Sequence, residues 1–258
     1  MKMDDRFILE QAKEAISKAG ETALGYWEKG VVLIQKTTDP GTVTEADKAV
    51  EEMLKEWIRA TFPSDSIVAE ESGGMPAGTF WTIDPIDGTN FFAHGLVDWS
   101  ISLARFVDGE AVMGLTLCPP TGELFWAVKG GGAFVNGKQI HVSKKVKKHK
   151  ESLINIGMDI VWLYDRMDIE VALIKGTRSH WVTGSTALAL ARLAEGKVDQ
   201  AVHMQQSIWD VAVASLLIPE AGGPFRRWDN GPLDCTGARA NDIYASNGSL
   251  PKDWFFLK

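Results

Sequence analysis

The stretch Trp81-Thr82-Ile83-Asp84-Pro85-Ile86-Asp87-Gly88-Thr89 begins as an apolar run typical of a buried strand and ends in two carboxylates three positions apart. Pro85 stiffens the turn between the two acids, and Gly88 allows backbone conformations that a side chain would oppose. Asp84 and Asp87 can therefore face one point at the end of the strand.

The same stretch predicts a site for phosphate and a cation. If Gly88 and Thr89 begin a helix, its free N–H groups and positive end can bind phosphate beside the acids. Two carboxylates that converge without a cation repel one another, so a hard divalent cation is the natural occupant. Oxygen ligands favour Mg²⁺, Mn²⁺ or Ca²⁺ over zinc. The alternative is an acidic surface turn. An EF-hand fits less well, because no Glu stands at the twelfth loop position.

Three further acids lie where a functional and a structural interpretation compete. Glu70 follows the apolar run 67–69, where it could join the two aspartates or begin a loop. Asp47 belongs to Thr44-Glu45-Ala46-Asp47, which matches a capping box and by itself predicts a structural role. Asp210 has the same spacing from an N-cap serine, but it lies in an apolar helix, where an unpaired buried carboxylate is costly.

Hydrophobic periodicity predicts two helices first and a run of short strands after them. Later in the chain, strands and helices alternate. We predict an α+β fold, a layered α-β-α-β-α sandwich with an antiparallel N-terminal sheet and a mixed C-terminal sheet. Two closely packed halves, 1–145 and 146–258, are expected, and a single domain also suits the length. The predicted helices are 5–29, 44–62, 169–175, 185–195 and 207–221, and the predicted strands are 66–69, 79–83, 100–107, 111–118, 123–128, 152–156, 198–204 and 242–245.

Composition excludes several classes of function. The 258 residues include 34 acidic and 27 basic side chains, a formal net charge of −7, so no nucleic-acid partner is expected. The basic run 144–150 is interpreted as a solvated loop or helix face. No apolar run approaches the about 20 residues that cross a bilayer, so neither a membrane segment nor a signal peptide is expected. Two cysteines without a disulfide or zinc pattern indicate a reducing, cytoplasmic location.

Five segments, in this order and spacing, resemble the inositol monophosphatase family, within the superfamily of fructose-1,6-bisphosphatases and phosphoadenosine-phosphate phosphatases. The resemblance runs from Lys36 to Asn247. It implies a Mg²⁺-dependent enzyme that hydrolyses a small phosphate monoester, inositol-1-phosphate or a related sugar or polyol phosphate, without a covalent phosphoenzyme. The segments are VTEAD (43–47), AEES (69–72), DPIDGT (84–89), GST (184–186) and WDVAVASLLIPEAGG (209–223).

The resemblance also implies a set of metal ligands. Glu70, Asp84 and the carbonyl of Ile86 would bind one Mg²⁺, and Asp84, Asp87 and Asp210 would bind a second. Glu70 would also face a weaker third position, which places it among the catalytic residues. Mn²⁺ could replace Mg²⁺. The two well-held cations would bridge the phosphate and stabilise the leaving oxygen.

On the same resemblance, Thr89 and Asp47 are the catalytic pair that orients and deprotonates the attacking water. The N–H groups of Gly88 and Thr89 would hold the phosphate. Lys36 looks like part of the family's mobile loop over the metal site, although a Lys in a Thr/Pro/Gly loop is by default solvated.

The residues expected near the substrate are less uniform. Gly184, Ser185 and Thr186 look like the family's substrate-side loop, where Ser185 would also serve as an N-cap. Seven residues before the last metal ligand, the family often has an acid that holds sugar or inositol hydroxyls. This chain has His203 there, which argues against inositol itself and leaves a structural histidine as the alternative. Arg178 could bind a second phosphate or a carboxylate, or it could pair with a structural acid.

Other functions stay open from sequence. Fructose-1,6-bisphosphate, histidinol phosphate and phosphoadenosine phosphate are alternative substrates within the superfamily. A non-catalytic module that binds a metal or a phosphometabolite is an alternative of another class, as is a structural protein with acid-capped helices. Asp47 together with Thr89 argues against a binding module, because a binder needs no pair that activates water. The resemblance further implies lithium inhibition and a homodimer.

Overall fold

The computed structural model describes residues 3–30, 34–35, 42–157, 165–237 and 239–251. These residues form two large β-sheets, with helices between and beside them, and one separate two-stranded sheet. The helices are α1 (Met3–Lys29), α2 (Glu45–Thr61), α3 (Thr89–Ala93), α4 (Met167–Gly176), α5 (Thr186–Ala194) and α6 (Ile208–Glu220). The strands are β1 (Ile34–Gln35), β2 (Thr42–Val43), β3 (Ser66–Ala69), β4 (Phe80–Asp87), β5 (Ser100–Val107), β6 (Glu110–Cys118), β7 (Glu123–Val128), β8 (Gly132–Val135), β9 (Lys138–Ile140), β10 (Leu153–Ile156), β11 (Ser179–Trp181), β12 (Gln200–Gln206), β13 (Phe225–Arg227) and β14 (Asn241–Ser246).

The first large sheet has seven strands in the order β3-β4-β5-β6-β7-β8-β9. From β4 onward each strand pairs antiparallel with the next, which agrees with the antiparallel N-terminal sheet that the sequence predicted. The edge pair differs, because β3 runs parallel to β4, with Ala69 opposite Ile83. The connection from β3 has to return along the sheet before β4 can begin. The carboxyl ends of both strands therefore lie at the same end of the sheet.

The second large sheet has five strands in the order β11-β10-β12-β14-β13. Strand β10 is parallel to β11 and β12, while β14 is antiparallel to β12 and β13, so the predicted mixed sheet is confirmed. The two edge strands, β11 and β13, were not predicted. Each has three residues, too few for a period of two to be visible in the sequence.

Three clusters of buried side chains define five layers. Helices α1 and α2 pack on the outer face of the seven-stranded sheet, where Ile16 and Leu54 join Trp81 in one cluster. Helices α5 and α6 fill the space between the sheets, and α4 covers the far face of the five-stranded sheet through Ile169 and Leu173. The order α-β-α-β-α confirms the predicted α+β sandwich.

Helix α6 lies unusually close to the seven-stranded sheet at Gly114 of β6. A Cβ atom added there would lie 3.2 Å from the Cα of Val213, which is tighter than nearly all Cβ contacts. Asp210 lies one turn earlier on the same helix. Because position 114 has no side chain, α6 can pack closely against the sheet. This close packing helps to set the position of Asp210 relative to the sheet.

Outside the site, the fold bears on the two cysteines and on the question of a membrane-spanning helix. Cys118 is buried and Cys235 is half-buried, and both are free thiols, as their number and spacing suggested. In the described part of the chain, no helix combines the length and the apolar character that crossing a bilayer requires.

We expect Gly114→Val to lower the free energy of unfolding by about 2 kcal/mol and the melting temperature by about 4–8 °C, because the added atoms must push α6 off the sheet. Thermal unfolding followed by circular dichroism measures the change. Gly25→Ala in α1 is the matched control, since a Cβ there meets nothing within 4 Å. The control should melt at or slightly above the wild-type temperature. A Gly114→Val protein as stable as wild type would contradict the close packing.

Candidate active site

Asp84, near the end of β4, lies at the centre of a group of acids, of which Asp84 and Asp87 are buried and Glu70 and Asp210 are half-buried. Its side chain is 1% exposed, and its Oδ1 atom has no hydrogen-bond partner among the described residues. Burial raises the pKa of Asp84 well above its usual value, and the neighbouring charges of Glu70, Asp87 and Asp210 raise it further. A hydrogen bond between the Asp84 and Glu70 carboxyl groups acts in the same direction. Two carboxyl groups can share such a bond only if one of them holds a proton.

The parallel strand pair brings Glu70 to this point. Glu70 directly follows β3, and its N–H donates to the carbonyl of Ile83 at 3.1 Å, which continues the ladder between β3 and β4. Asp84 is the next residue after that carbonyl. Acids that are 14 positions apart in sequence are thus adjacent at one sheet edge because the two strands run in the same direction.

The carboxylate of Asp87 faces the beginning of α5. Oδ2 accepts hydrogen bonds from the Ser185 hydroxyl at 2.7 Å and from the Ala187 N–H at 2.6 Å, and Oδ1 accepts from the Thr186 N–H at 3.3 Å. Burial raises the pKa of Asp87 to about 7 even though these three donors lower it. Ser185 also bonds to Ser100 at 2.9 Å, which lies opposite Asp87 on β5.

Asp210 occupies the first turn of α6, where its Oδ2 accepts from the Ser207 N–H at 2.7 Å. Burial raises the pKa of Asp210 well above its usual value, and the charges of Asp87 and Glu70 add to the effect. The cation of Arg239 acts in the opposite direction. The sequence left open whether Asp210 caps α6 or joins the acidic group. In the structure it does both.

Asp47 and Thr89 form a pair beside this group. The Thr89 hydroxyl lies 3.3 Å from Asp47 Oδ1 and 3.1 Å from the carbonyl of Ile86. The other carboxylate oxygen, Asp47 Oδ2, accepts from the N–H and the hydroxyl of Thr44 at 2.8 and 2.6 Å in a capping box. Burial raises the pKa of Asp47 to about 6, and the Thr44 donors reduce that effect. Asp47 can therefore act both as a helix cap and as a partner of Thr89.

Gly88 and Gly184 bring two loops into direct contact. Gly88 has φ 95° and precedes α3, which contains five residues. A Cβ on Gly88 would lie 3.1 Å from the backbone of Gly184, and a Cβ on Gly184 would lie 2.2 Å from the ring of Phe91. Only glycine at both positions permits this approach. The N–H groups expected to hold phosphate therefore lie beside the Ser185–Thr186 segment.

His203 belongs to a buried polar network that reaches Thr186. Its Nε2 lies 2.6 Å from Asn155 Oδ1, and the Asn155 amide donates to the carbonyl of Trp181 at 2.9 Å. Because Asn155 Oδ1 can only accept, His203 Nε2 carries the hydrogen and Nδ1 is an acceptor. Nδ1 lies 3.4 Å from the Thr186 hydroxyl, which donates to Gln206 at 2.9 Å. Burial lowers the pKa of His203 to about 4, so the ring is neutral.

Arg178 and Lys36 are the predicted residues that the described structure does not connect to the site. Arg178 is exposed, and its N–H bonds to Ser152 at the amino-terminal end of β10, whereas Asn155 and the His203 network lie toward the other end. The structure thus does not bring Arg178 to the acidic group. Lys36 lies outside the described residues.

The four acids are neighbours, but their side chains are not arranged as the complete coordination sphere of a metal ion. Within the described ranges, no three Asp, Glu, His or Cys side chains are arranged so that they could hold one metal ion between them as they stand. Asp87 and Asp210 each direct an oxygen to backbone N–H groups instead. The donor chemistry nevertheless fits a hard divalent cation, because the group offers only oxygen atoms and includes the unpartnered, buried Oδ1 of Asp84.

Several residues of the site were missed by sequence reasoning. Ser100 of β5 supports Ser185 at the beginning of α5, Asn155 orients His203, and Arg239 offers a positive charge to Asp210. No local pattern distinguishes these three residues from ordinary strand or loop positions. Their importance follows from register and layer contacts, which become visible only in the folded chain.

Known proteins share this architecture. The model of the inositol monophosphatase family matches residues 4–254. The fructose-1,6-bisphosphatase/inositol-1-monophosphatase of Thermotoga maritima is 34% identical over 242 residues, which cover 91% of this chain and 89% of that protein. A histidinol-phosphatase of Chlorobaculum parvum is 31% identical over 223 residues, 83% of each chain.

A solved structure agrees with these relatives. The inositol monophosphatase from Anabaena sp. PCC 7120 superposes with a TM-score of 0.82 at 33% identity, covering 96% of this chain and 93% of that one. Fold, sequence and the grouping of acids at the ends of two sheets point in the same direction. The chain belongs to the inositol monophosphatase family and is a phosphatase of phosphate monoesters.

Proposed function

We propose that this phosphatase uses Mg²⁺ to hydrolyse a small polyol or sugar phosphate, with inositol-1-phosphate or a close relative as the substrate. The observation that carries the proposal is Asp84, a buried carboxylate whose Oδ1 has no partner among the described residues and whose neighbours are acids. Such a group is unfavourable unless positive charge is placed beside it. A divalent cation supplies that charge.

The proposed ligands divide into two sets that share Asp84. Glu70, Asp84 and the carbonyl of Ile86 would hold one cation, and Asp84, Asp87 and Asp210 would hold a second. A third, weaker position would lie beside Glu70, and Mn²⁺ would fit the same oxygen ligands. Each ionised carboxylate offers about four lone-pair positions, so Asp87 and Asp210 can keep helix hydrogen bonds while they bind.

Bound Mg²⁺ would supply the positive charge that polarises the phosphoryl oxygens and stabilises the leaving oxygen. The chain's own residues would handle the proton. An attacking water would donate a hydrogen to Thr89 Oγ1, and the Thr89 hydroxyl would pass its own hydrogen to Asp47 Oδ1, which lies 3.3 Å away. The new P–O bond would form as the bond from phosphorus to the leaving oxygen breaks, and the leaving alkoxide would take a proton from a solvent water to become the alcohol. A pKa of about 6 suits Asp47 as the acceptor near neutral pH.

The phosphate and the alcohol would bind to different elements. We place the phosphate at the N–H groups of Gly88 and Thr89, where α3 begins. We place the alcohol against Ser185, Thr186 and His203, whose neutral ring presents an acceptor atom at Nδ1. An acceptor binds O–H or N–H donors and would reject a carboxylate or a second phosphate. This polarity favours a polyol monophosphate over a bisphosphate.

We expect Asp84→Asn to reduce turnover with Mg²⁺ more than about 100-fold, beyond what loss of an outer-shell metal partner causes. The same variant should melt at a higher temperature than wild type in metal-free buffer at pH 7. The raised pKa of Asp84 means that its ionised form is disfavoured in the folded state, so wild type loses stability relative to the variant as pH rises above about 4.

The melting difference should shrink as pH falls toward and below about 4, because the carboxyl is neutral in both states only below the pKa of the unfolded chain. Mg²⁺ should stabilise wild type and leave Asp84→Asn nearly unchanged. Differential scanning calorimetry with and without Mg²⁺ measures both effects. Glu45→Gln, an exposed acid of the first turn of α2, is the control and should behave as wild type. A variant with normal turnover would refute the metal assignment.

Thr89→Val tests catalysis separately from binding. Valine keeps the shape of the side chain but removes the hydroxyl between water and Asp47, so kcat should fall about 10²–10⁴-fold. The affinity for Mg²⁺, measured by titration calorimetry, should stay within about twofold of wild type. Thr82→Val, a buried threonine of β4, is the control and should retain kcat. Full activity of Thr89→Val would favour a different route for the proton.

A substrate panel with saturating Mg²⁺ tests the proposed alcohol. We expect the highest kcat/KM for inositol-1-phosphate or another polyol monophosphate, at least about tenfold above the next class. Histidinol phosphate, fructose-1,6-bisphosphate and 3′-phosphoadenosine 5′-phosphate are the competitors. Released inorganic phosphate is the readout. A clear preference for one competitor would reassign the substrate, and inertness toward all four would contradict the polyol assignment.

A further inference from the structure

Helix α2 carries a second buried acid that the proposed metal ligands do not include. Glu51 is 3% exposed and lies one turn after Asp47, so both carboxylates project from the same face of the helix. Asp47 meets Thr89, whereas Glu51 faces the turn that follows β3. A buried carboxylate is costly unless its hydrogen bonds and partners compensate for the lost hydration. The partners of Glu51 therefore indicate its role.

Two side chains of α2 hold two consecutive residues of that turn. Glu51 Oε2 accepts from the Glu71 N–H at 2.8 Å. Lys55, one turn later and 12% exposed, lies 3.5 Å from Glu51 Oε1 and donates to the Ser72 hydroxyl at 3.0 Å. We call Glu51 and Lys55 the α2 clamp. It joins the helix that presents Asp47 to the turn that presents Glu70.

The backbone of the turn is otherwise held by the sheet. Ala69 and Gly73 exchange two hydrogen bonds, at 3.0 and 2.9 Å, and the Glu70 N–H donates to Ile83. The Glu71 N–H is the next donor along the chain, and the α2 clamp receives it. The backbone N–H groups of Ala69, Glu70 and Glu71 are therefore all hydrogen-bonded. An acceptor with full negative charge makes the strongest of the available hydrogen bonds to an N–H group.

We propose that Glu51 is a positioning residue, which fixes the backbone at Glu71 and thereby holds the Glu70 carboxylate beside Asp84 for cation binding. This inference rests on the proposed metal site. Glu51 does not touch the cation, the substrate or the attacking water. It acts through the peptide that follows Glu70, and Lys55 keeps its charge compensated.

The test measures Mg²⁺ binding to the full-length protein by titration calorimetry. Glu51→Ala removes the acceptor for Glu71, and we expect the Kd for Mg²⁺ to rise about tenfold. Glu51→Gln keeps an oxygen for the same N–H and should recover most of the affinity. Glu52→Ala removes the same charge from the neighbouring position, where the side chain is 50% exposed and pairs with Lys55 and Arg59. Its Kd should stay within about twofold of wild type.

Lys55→Met separates positioning from simple electrostatics and serves as the second variant if Glu51→Ala does not fold. Loss of a positive charge near acids should tighten Mg²⁺ binding if charge alone matters. Loss of the bond to Ser72 should weaken it about threefold if the α2 clamp positions the turn.

The outcomes are distinct. A lower melting temperature with unchanged Mg²⁺ affinity in Glu51→Ala would make Glu51 purely structural and overturn the proposal. Equal weakening in Glu51→Ala and Glu52→Ala, or tighter binding in Lys55→Met, would also overturn it. Failure of the wild-type protein to bind Mg²⁺ would instead remove the proposed function itself.

Discussion

Four acids held close together, two of them buried and two half-buried, are the constraint on which this site depends. Asp84 lies among Glu70, Asp87 and Asp210, and burial with mutual repulsion raises the pKa of Asp84 and Asp210 well above the usual range. The group is tolerated because Glu70 and Asp84 share a hydrogen bond and because backbone donors face Asp87 and Asp210. The arrangement of the acids is therefore a compromise between mutual repulsion and hydrogen bonding.

The amino-terminal ends of three helices stabilise the acids. Asp47, Asp87 and Asp210 each accept hydrogen bonds where a helix begins, at α2, α5 and α6 respectively. The amino ends of helices carry partial positive charge, which favours carboxylates. The same donors that stabilise these acids also orient them. Each acid thus combines a structural role with a position in the site, and neither role excludes the other.

The site exists because two sheets end near each other. Strands β3 and β4 bring Glu70 and Asp84 to the edge of one sheet, and the beginning of α5 comes from the segment that follows the other sheet's edge strand. Gly88 and Gly184 allow the two segments to touch, and Ser100 bonds to Ser185 across the contact. Beside Thr186, the His203 ring is neutral, and Asn155 holds it with Nδ1 as an acceptor.

The sequence by itself determined the layers, the main helices and strands, and the acids that compose the group, because periodicity, caps and turn residues act over a few positions. It also showed a histidine at position 203, where the family often has an acid. Tertiary structure decided which residues meet. Thr89 and Asp47 are 42 positions apart, and Ser185 and Asp87 are 98 apart. The parallel pairing of β3 and β4, the support from Ser100 and Asn155, the α2 clamp and the remote place of Arg178 all depend on register and on contacts between layers. Such contacts arise when distant segments pack, so no local pattern in the chain could reveal them.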